Sequence, residues 1–101
     1  MLPQHRTPNH PGEILWEEFL KPLGITQKDF AQRLGISLQR LNGIIRGKRS
    51  VTAETALLLS QTFGTTPEFW LGMQCSYDLA KARETVRRVE PLHMESRTPR
   101  S

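Results

Sequence analysis

Between Thr26 and Arg49 six cations, Lys28, Arg33, Arg40, Arg46, Lys48 and Arg49, stand against one acid, Asp29. A local stripe of that sign is the electrostatic footprint of a protein that binds a polyanion. Charge alone does not separate such a footprint from an ordinary solvated helix face, so the residue types must decide. Projected at about 100° per residue, the stretch Leu38–Ile45 puts Leu38, Leu41, Ile44 and Ile45 on one side. Gln39, Arg40, Asn42, Gly43 and the following Arg46 fall on the other. The second set can read base edges, since Arg pairs with guanine and Gln or Asn with adenine in the major groove. Gln39, Arg40, Asn42 and Gly43 are therefore assigned to the bases. A glycine here costs the helix about 1 kcal/mol relative to alanine, which makes sense if something approaches the helix closely. Lys48, Arg49 and Ser50 follow at once, in a loop placed to run along phosphates, and Arg46 is grouped with them.

Those residues need a scaffold, and the sequence supplies five helical segments. The first, about Pro11–Lys21, has Pro11 in its opening turn and Leu15, Trp16, Phe19 and Leu20 at helical spacing, with Pro22 expected to end it. The second, about Gln27–Leu34, is capped by Thr26 and stopped by Gly35. The third, about Leu38–Ile45, has Ser37 as its cap and Gly47 just past its end; the fourth, Ala53–Phe63, opens at Thr52 and closes at Gly64. The fifth starts at Thr66-Pro67 and is expected to reach about Arg88, because only Gly72 interrupts it. No segment alternates with period two, so the chain reads as all-α. The second and third segments meet the demands of a helix-turn-helix: small Ala31 where the helices approach, Gly35 in the turn, and Phe30, Leu34, Ile36, Leu41 and Ile44 filling the angle between them. Residues 1–9 read as a flexible arm, 10–88 as the folded unit and 89–101 as a disordered tail.

Other chemistries find little support. A chain of 101 residues with 37% apolar content makes one modest core. No apolar run approaches the roughly 20 residues of a membrane span, and the N-terminus lacks a secretion signal's apolar stretch. The lone Cys75 has no partner for a disulfide, which favours a cytoplasmic setting, and reads as a small, partly buried residue. His5, His10 and Glu13 match no helical ligand spacing, so no metal is expected. No catalytic constellation or phosphate-cradling glycine loop is present; no enzyme, cofactor or small-molecule substrate is inferred.

The string Thr26-Gln27-x-x-Phe30-Ala31-x-x-Leu34-Gly35-Ile36-Ser37 resembles the Cro/C1-type (Xre-like) helix-turn-helix of phage repressors. The wider pattern is similar to HigA-type antitoxins, also called VapI-like. It comprises His10-Pro11-Gly12-Glu13-Ile14-Leu15, Leu41 through Arg49, Thr52 through Leu57, and Pro67-Glu68-Phe69-Trp70-Leu71, and it covers about residues 8–83. The resemblance implies a five-helix, lambda-repressor-like domain with a long last helix. It further implies an antitoxin that dimerises on double-stranded operator DNA, represses its own operon and neutralises a HigB-type toxin that cleaves messenger RNA. On the same ground Gln27 matches a glutamine that anchors a phosphate, and Gln39 a base-reading position. Ser37, Arg40, Lys48 and Arg49 match positions used for backbone or base contact. Leu38 and Gly43 depart from the phage repressors, which often carry polar residues there. On periodicity Leu38 belongs to the core; a thymine methyl is its alternative contact. The rival readings are a stand-alone Xre-type repressor without a toxin, and a protein-interaction module that has lost DNA binding.

Phe69, Trp70, Met73 and Tyr77 form a core stripe on the fifth segment, whereas Leu71, Leu79, Val86 and Val89 lie off it. Such leftover apolar surface suits a partner. Leu79, supported by Val86, is assigned to the contact with a second copy or with the toxin.

Overall fold

Four threonine or serine hydroxyls set the helix starts. In a computed structural model that describes residues 8–93, the oxygens of Thr26, Ser37, Thr52 and Thr66 accept the backbone N–H three residues on. Each satisfies a donor that the first turn would leave orphaned. The helices they open are α2 (Gln27–Leu34), α3 (Leu38–Ile45), α4 (Ala53–Phe63) and α5 (Pro67–Arg83). They are preceded by α1, a continuous helix over 11–23 whose middle, Leu15–Leu20, is wound as a π-helix. The five are joined by short loops, and among the described residues there is no strand.

α1 starts on a cap the sequence reading passed over: His10 Nδ1 accepts the Gly12 N–H at 2.9 Å. Its end also differs from expectation. Pro22 lies inside the helix, and the chain turns only at Gly24, whose φ of 67° is left-handed. A proline ring normally collides with the carbonyl four residues back. The wider π turn just before Pro22, where the Lys21 N–H reaches back to the Trp16 carbonyl, gives that ring room.

The core forms where the helices converge. Leu15 and Leu20 of α1 meet Phe30, Ala31 and Leu34 of α2, Leu41 and Ile44 of α3, Ala56 and Leu59 of α4, and Trp70 of α5, all buried. Phe19 and Phe63 pack with Phe30 and Trp70 at ring separations of 4.6–6.4 Å. The Trp70 indole donates to Thr65 Oγ1 at 2.7 Å, so its polar edge is satisfied. Of the α5 stripe, Trp70 is buried and Met73 and Tyr77 partly so, but Phe69 is exposed. Leu71, expected off the stripe, packs against the core. Cys75 is exposed rather than partly buried.

α5 stops at Arg83, short of the expected Arg88. Every described residue from Lys81 onward is exposed. A helical stretch with no packing face has only propensity to sustain it, and Thr85-Val86 supplies little. Val86 consequently lies beyond the helix. Of the expected arm, only Pro8 and Asn9 are described, and Pro8 is half-buried; residues 1–7 and 94–101, including His5, lie outside the described residues.

Candidate nucleic-acid interface

The turn between α2 and α3 is made by Gly35, whose φ of 75° lets its own N–H and that of Ile36 both reach the Ala31 carbonyl, at 2.9 and 3.1 Å. The helix that follows buries Leu41 and Ile44 but not Leu38. Leu38 is 47% exposed and lines a shallow, open depression with Gln27, Lys28, Gln39 and Asn42. The core expectation for Leu38 is thus overturned. It is the first residue of α3, and the buried seam runs from Leu41 onward, so the helix reaches past the core at that end.

Within this group Asn42 Nδ2 donates to Gln27 Oε1 at 3.1 Å, linking the start of α2 to the middle of α3. Each amide keeps free hydrogen-bonding capacity on its other side. Gln39 and Lys28 are exposed beside them. Ser37 Oγ accepts the Arg40 N–H at 3.0 Å and retains a hydroxyl proton to donate.

Arg40 points elsewhere. Its Nη2 donates to the buried Thr55 Oγ1 at 3.0 Å and lies 3.5 Å from Glu54 Oε1. The guanidinium assigned to a base edge therefore ties α3 to the first turn of α4. Gly43 also has an internal explanation. A Cβ there would lie 3.0–3.3 Å from the Arg49 side chain, whose stem lies over the glycine. A side chain at this position would press on that stem.

The loop after α3 is fixed from several directions. The Lys48 and Arg49 N–H groups both donate to the Gly43 carbonyl, at 2.8 and 3.1 Å. Their backbone donors are thereby used, and Lys48, Arg49 and Arg46 present exposed side chains. Val51 N–H donates to Gln74 Oε1 at 2.7 Å, and Gln74 Nε2 to Asp78 Oδ1 at 2.9 Å, which secures the loop to α5. Gly47 packs on the His10 ring, and Tyr77 meets that ring edge-on at 4.9 Å. Burial pushes the His10 imidazole below the usual histidine value, against opposing pulls from Asp78, the Arg49 backbone and Glu13. Beneath, Gly12 lies so close to the Ile44 carbonyl that no Cβ fits. His10, Gly12, Leu38, Thr55 and Gln74 are the contributors that sequence reasoning missed or misplaced. His10 and Gly12 carried a signal, a histidine before Pro-Gly at a helix start.

The chain is similar to several known proteins. The helix-turn-helix family pattern matches residues 17–70. Virulence-associated protein I of Dichelobacter nodosus is 43% identical over 91 residues, covering 87% of this chain and 84% of that protein. Antitoxin HigA-1 of Vibrio cholerae serotype O1 is 40% identical, covering 86% of each. The chain belongs to the Xre-type helix-turn-helix family, on its HigA-type antitoxin branch. Its fold is shared with the solved structure of Pseudomonas aeruginosa antitoxin HigA with the higBA promoter. That chain superposes with a TM-score of 0.77 at 36% identity, over 85% of this chain and 99% of that one.

In this HigA-type chain the matched stretch holds the whole α2–α3 unit and its loop, while most of α5 lies beyond it. Leu79 is on α5 and 46% exposed. Val86, at 69%, is past the helix end and cannot extend a helical stripe from Leu79. Lys81 lies over the Tyr77 ring at 5.9 Å. No helix of the described residues is long and apolar enough to cross a membrane.

Proposed function

We propose that this chain is a DNA-binding antitoxin that represses its own operon, laying the N-terminal half of α3 in the major groove of operator DNA. The observation that carries the reading is one exposed face shared by two helices. The joined Gln27–Asn42 pair sits beside Leu38 and Gln39, with Lys28 on one flank and the Lys48–Arg49 loop following α3. Helix-turn-helix proteins dock with the first residues of the second helix on base edges and flanking groups on phosphates. In this reading Gln39 and Asn42 read bases, and Gln27, Ser37, Arg46, Lys48 and Arg49 hold the backbone. Arg40 braces α3 against α4, and Gly43 makes room for Arg49. The similar antitoxin HigA solved with its promoter supports the DNA arm.

One recognition helix spans only a few base pairs, so two half-sites about one turn apart call for a homodimer. Leu79 on α5 is its proposed contact. The names of the relatives support the further proposal that the chain neutralises a HigB-type toxin.

The test is fluorescence anisotropy with the duplex upstream of the chain's own coding sequence, against a shuffled duplex of equal length and composition. Specific binding about 10³-fold tighter or more is expected; equal affinity for both would refute operator recognition. Co-expression with the adjacent reading frame, followed by sizing of the complex, tests the toxin arm.

A further inference from the structure

An apolar side chain on a face otherwise built from amides and cations needs a reason. Leu38 stands 47% exposed between Gln39 and the Gln27–Asn42 pair, at the end of α3 that leads into the groove. It offers no hydrogen bond. Set against N7, O6 or an amino group of a purine, it would strip water from a polar edge and return nothing. The major-groove edges of unmodified DNA carry a single apolar group, the C5-methyl of thymine. We propose that Leu38 is a specificity-determining residue that recognises one thymine methyl in each half-site. This rests on the DNA-binding reading above.

The surroundings favour such a contact. Ser37 caps the helix one residue earlier, so the Leu38 backbone is fixed. The Gln27–Asn42 bond holds two neighbouring side chains in place, so the leucine is presented from an ordered surface. Arg40 is turned away toward Thr55 and leaves Leu38 and Gln39 as the leading pair of the helix. Gln39 then addresses one base through its amide and Leu38 the adjacent thymine through its methyls.

The experiment removes only the methyl. A preferred site is first selected from a random duplex pool with the full chain. Each thymine in it is then replaced singly by deoxyuridine, which keeps pairing and O4 unchanged. Affinities are measured for wild type and for Leu38→Ala, with a thermal melt confirming that the variant folds. Wild type should lose about fourfold at one thymine per half-site, the worth of one buried methyl. Leu38→Ala should lose about the same on thymine DNA and nothing further on the deoxyuridine duplex, the non-additivity of a direct contact. Equal deoxyuridine penalties in both proteins would overturn the proposal while leaving DNA binding intact. A Leu38→Ala chain that does not fold would return Leu38 to the core and overturn it too. Failure to select any site would instead remove the DNA-binding reading, and this inference with it.

Discussion

The two ends of α3 are built on opposite plans. The N-terminal end is open: Leu38 and Gln39 are exposed, and what order exists comes from polar links, Ser37 to the Arg40 amide and Asn42 to Gln27. The C-terminal end is closed: Gly12 abuts the Ile44 carbonyl, Arg49 covers Gly43, and His10 packs on Gly47. Side chains that discriminate among bases must be accessible, whereas the loop that sets register on a backbone gains from rigidity. An open end tolerates substitution without unfolding and changes what is read. A closed end does the reverse.

The largest effect should come from filling the tightest point of the closed end. Gly12→Ala forces a methyl into the Ile44 carbonyl and should cost about 3 kcal/mol of stability, read as a lowered urea midpoint. A midpoint equal to wild type would show that the two helices part easily there. Neighbouring residues on α3 then sharpen the contrast. Gln39→Ala should leave the melt unchanged and lose about 1–3 kcal/mol of preference at one base pair. Arg40→Ala, which removes the hydrogen bond to Thr55 and the ion pair to Glu54 and leaves the Thr55 hydroxyl only its Thr52 partner, should cost about 1 kcal/mol of folding stability and keep the base preference. If a binding-site selection finds the preference altered by Arg40→Ala and not by Gln39→Ala, the two assignments must be exchanged.

A smaller effect is expected at the loop. The amides of Lys48 and Arg49 are occupied by the Gly43 carbonyl, so these residues act on DNA through side-chain charge. Lys48→Ala should weaken every duplex alike and reduce the salt slope by about 1. A changed sequence preference with the slope intact would place Lys48 on a base. The smallest effect is the pH response of the His10 clasp. Burial lowers its folded-state pKa beneath the unfolded 6.5, so folding favours the neutral ring, whose Nδ1 can accept the Gly12 amide. This stability is present above pH 6.5 and lost as pH falls through the lower, folded-state value. Urea midpoints compared between roughly pH 7.5 and pH 5 should fall for wild type more than for His10→Asn, which can cap but does not titrate there. Parallel curves would remove His10 from the acid response.

What the sequence disclosed, and what it hid, follows from the range of the interactions. Thr26, Ser37, Thr52 and Thr66 act on amides three residues away, and Gly35 acts on its own φ, so caps and the α2–α3 turn could be read locally. The core residues Phe30, Leu34, Leu41, Ile44 and Trp70 followed from helical spacing. The link from Arg40 to Thr55 was not legible because Thr55 lies 15 residues on, and nothing in the periodicity of α3 announces it. Gly43 was read as an approach to DNA because the Arg49 stem that covers it arrives only once the loop folds back. Leu38 was placed in the core because periodicity gives direction around a helix and not how far along its length the partner helices extend. Pro22 and Val86 show the same limit at helix ends, one accommodated by a π turn, the other left without a packing surface.

The hydrogen bond from Val51 to the buried Gln74 has a thermodynamic consequence for association. The segment between α3 and α4 is anchored at its start by the Gly43 carbonyl and at its end by a side chain of α5. Its backbone entropy is therefore surrendered when the chain folds and not when it meets a duplex. Recognition then requires no local ordering of this strap. The backbone of this segment then adds nothing to the entropic cost of binding, which falls on side-chain ordering and loss of rigid-body freedom, set against the release of condensed cations from DNA.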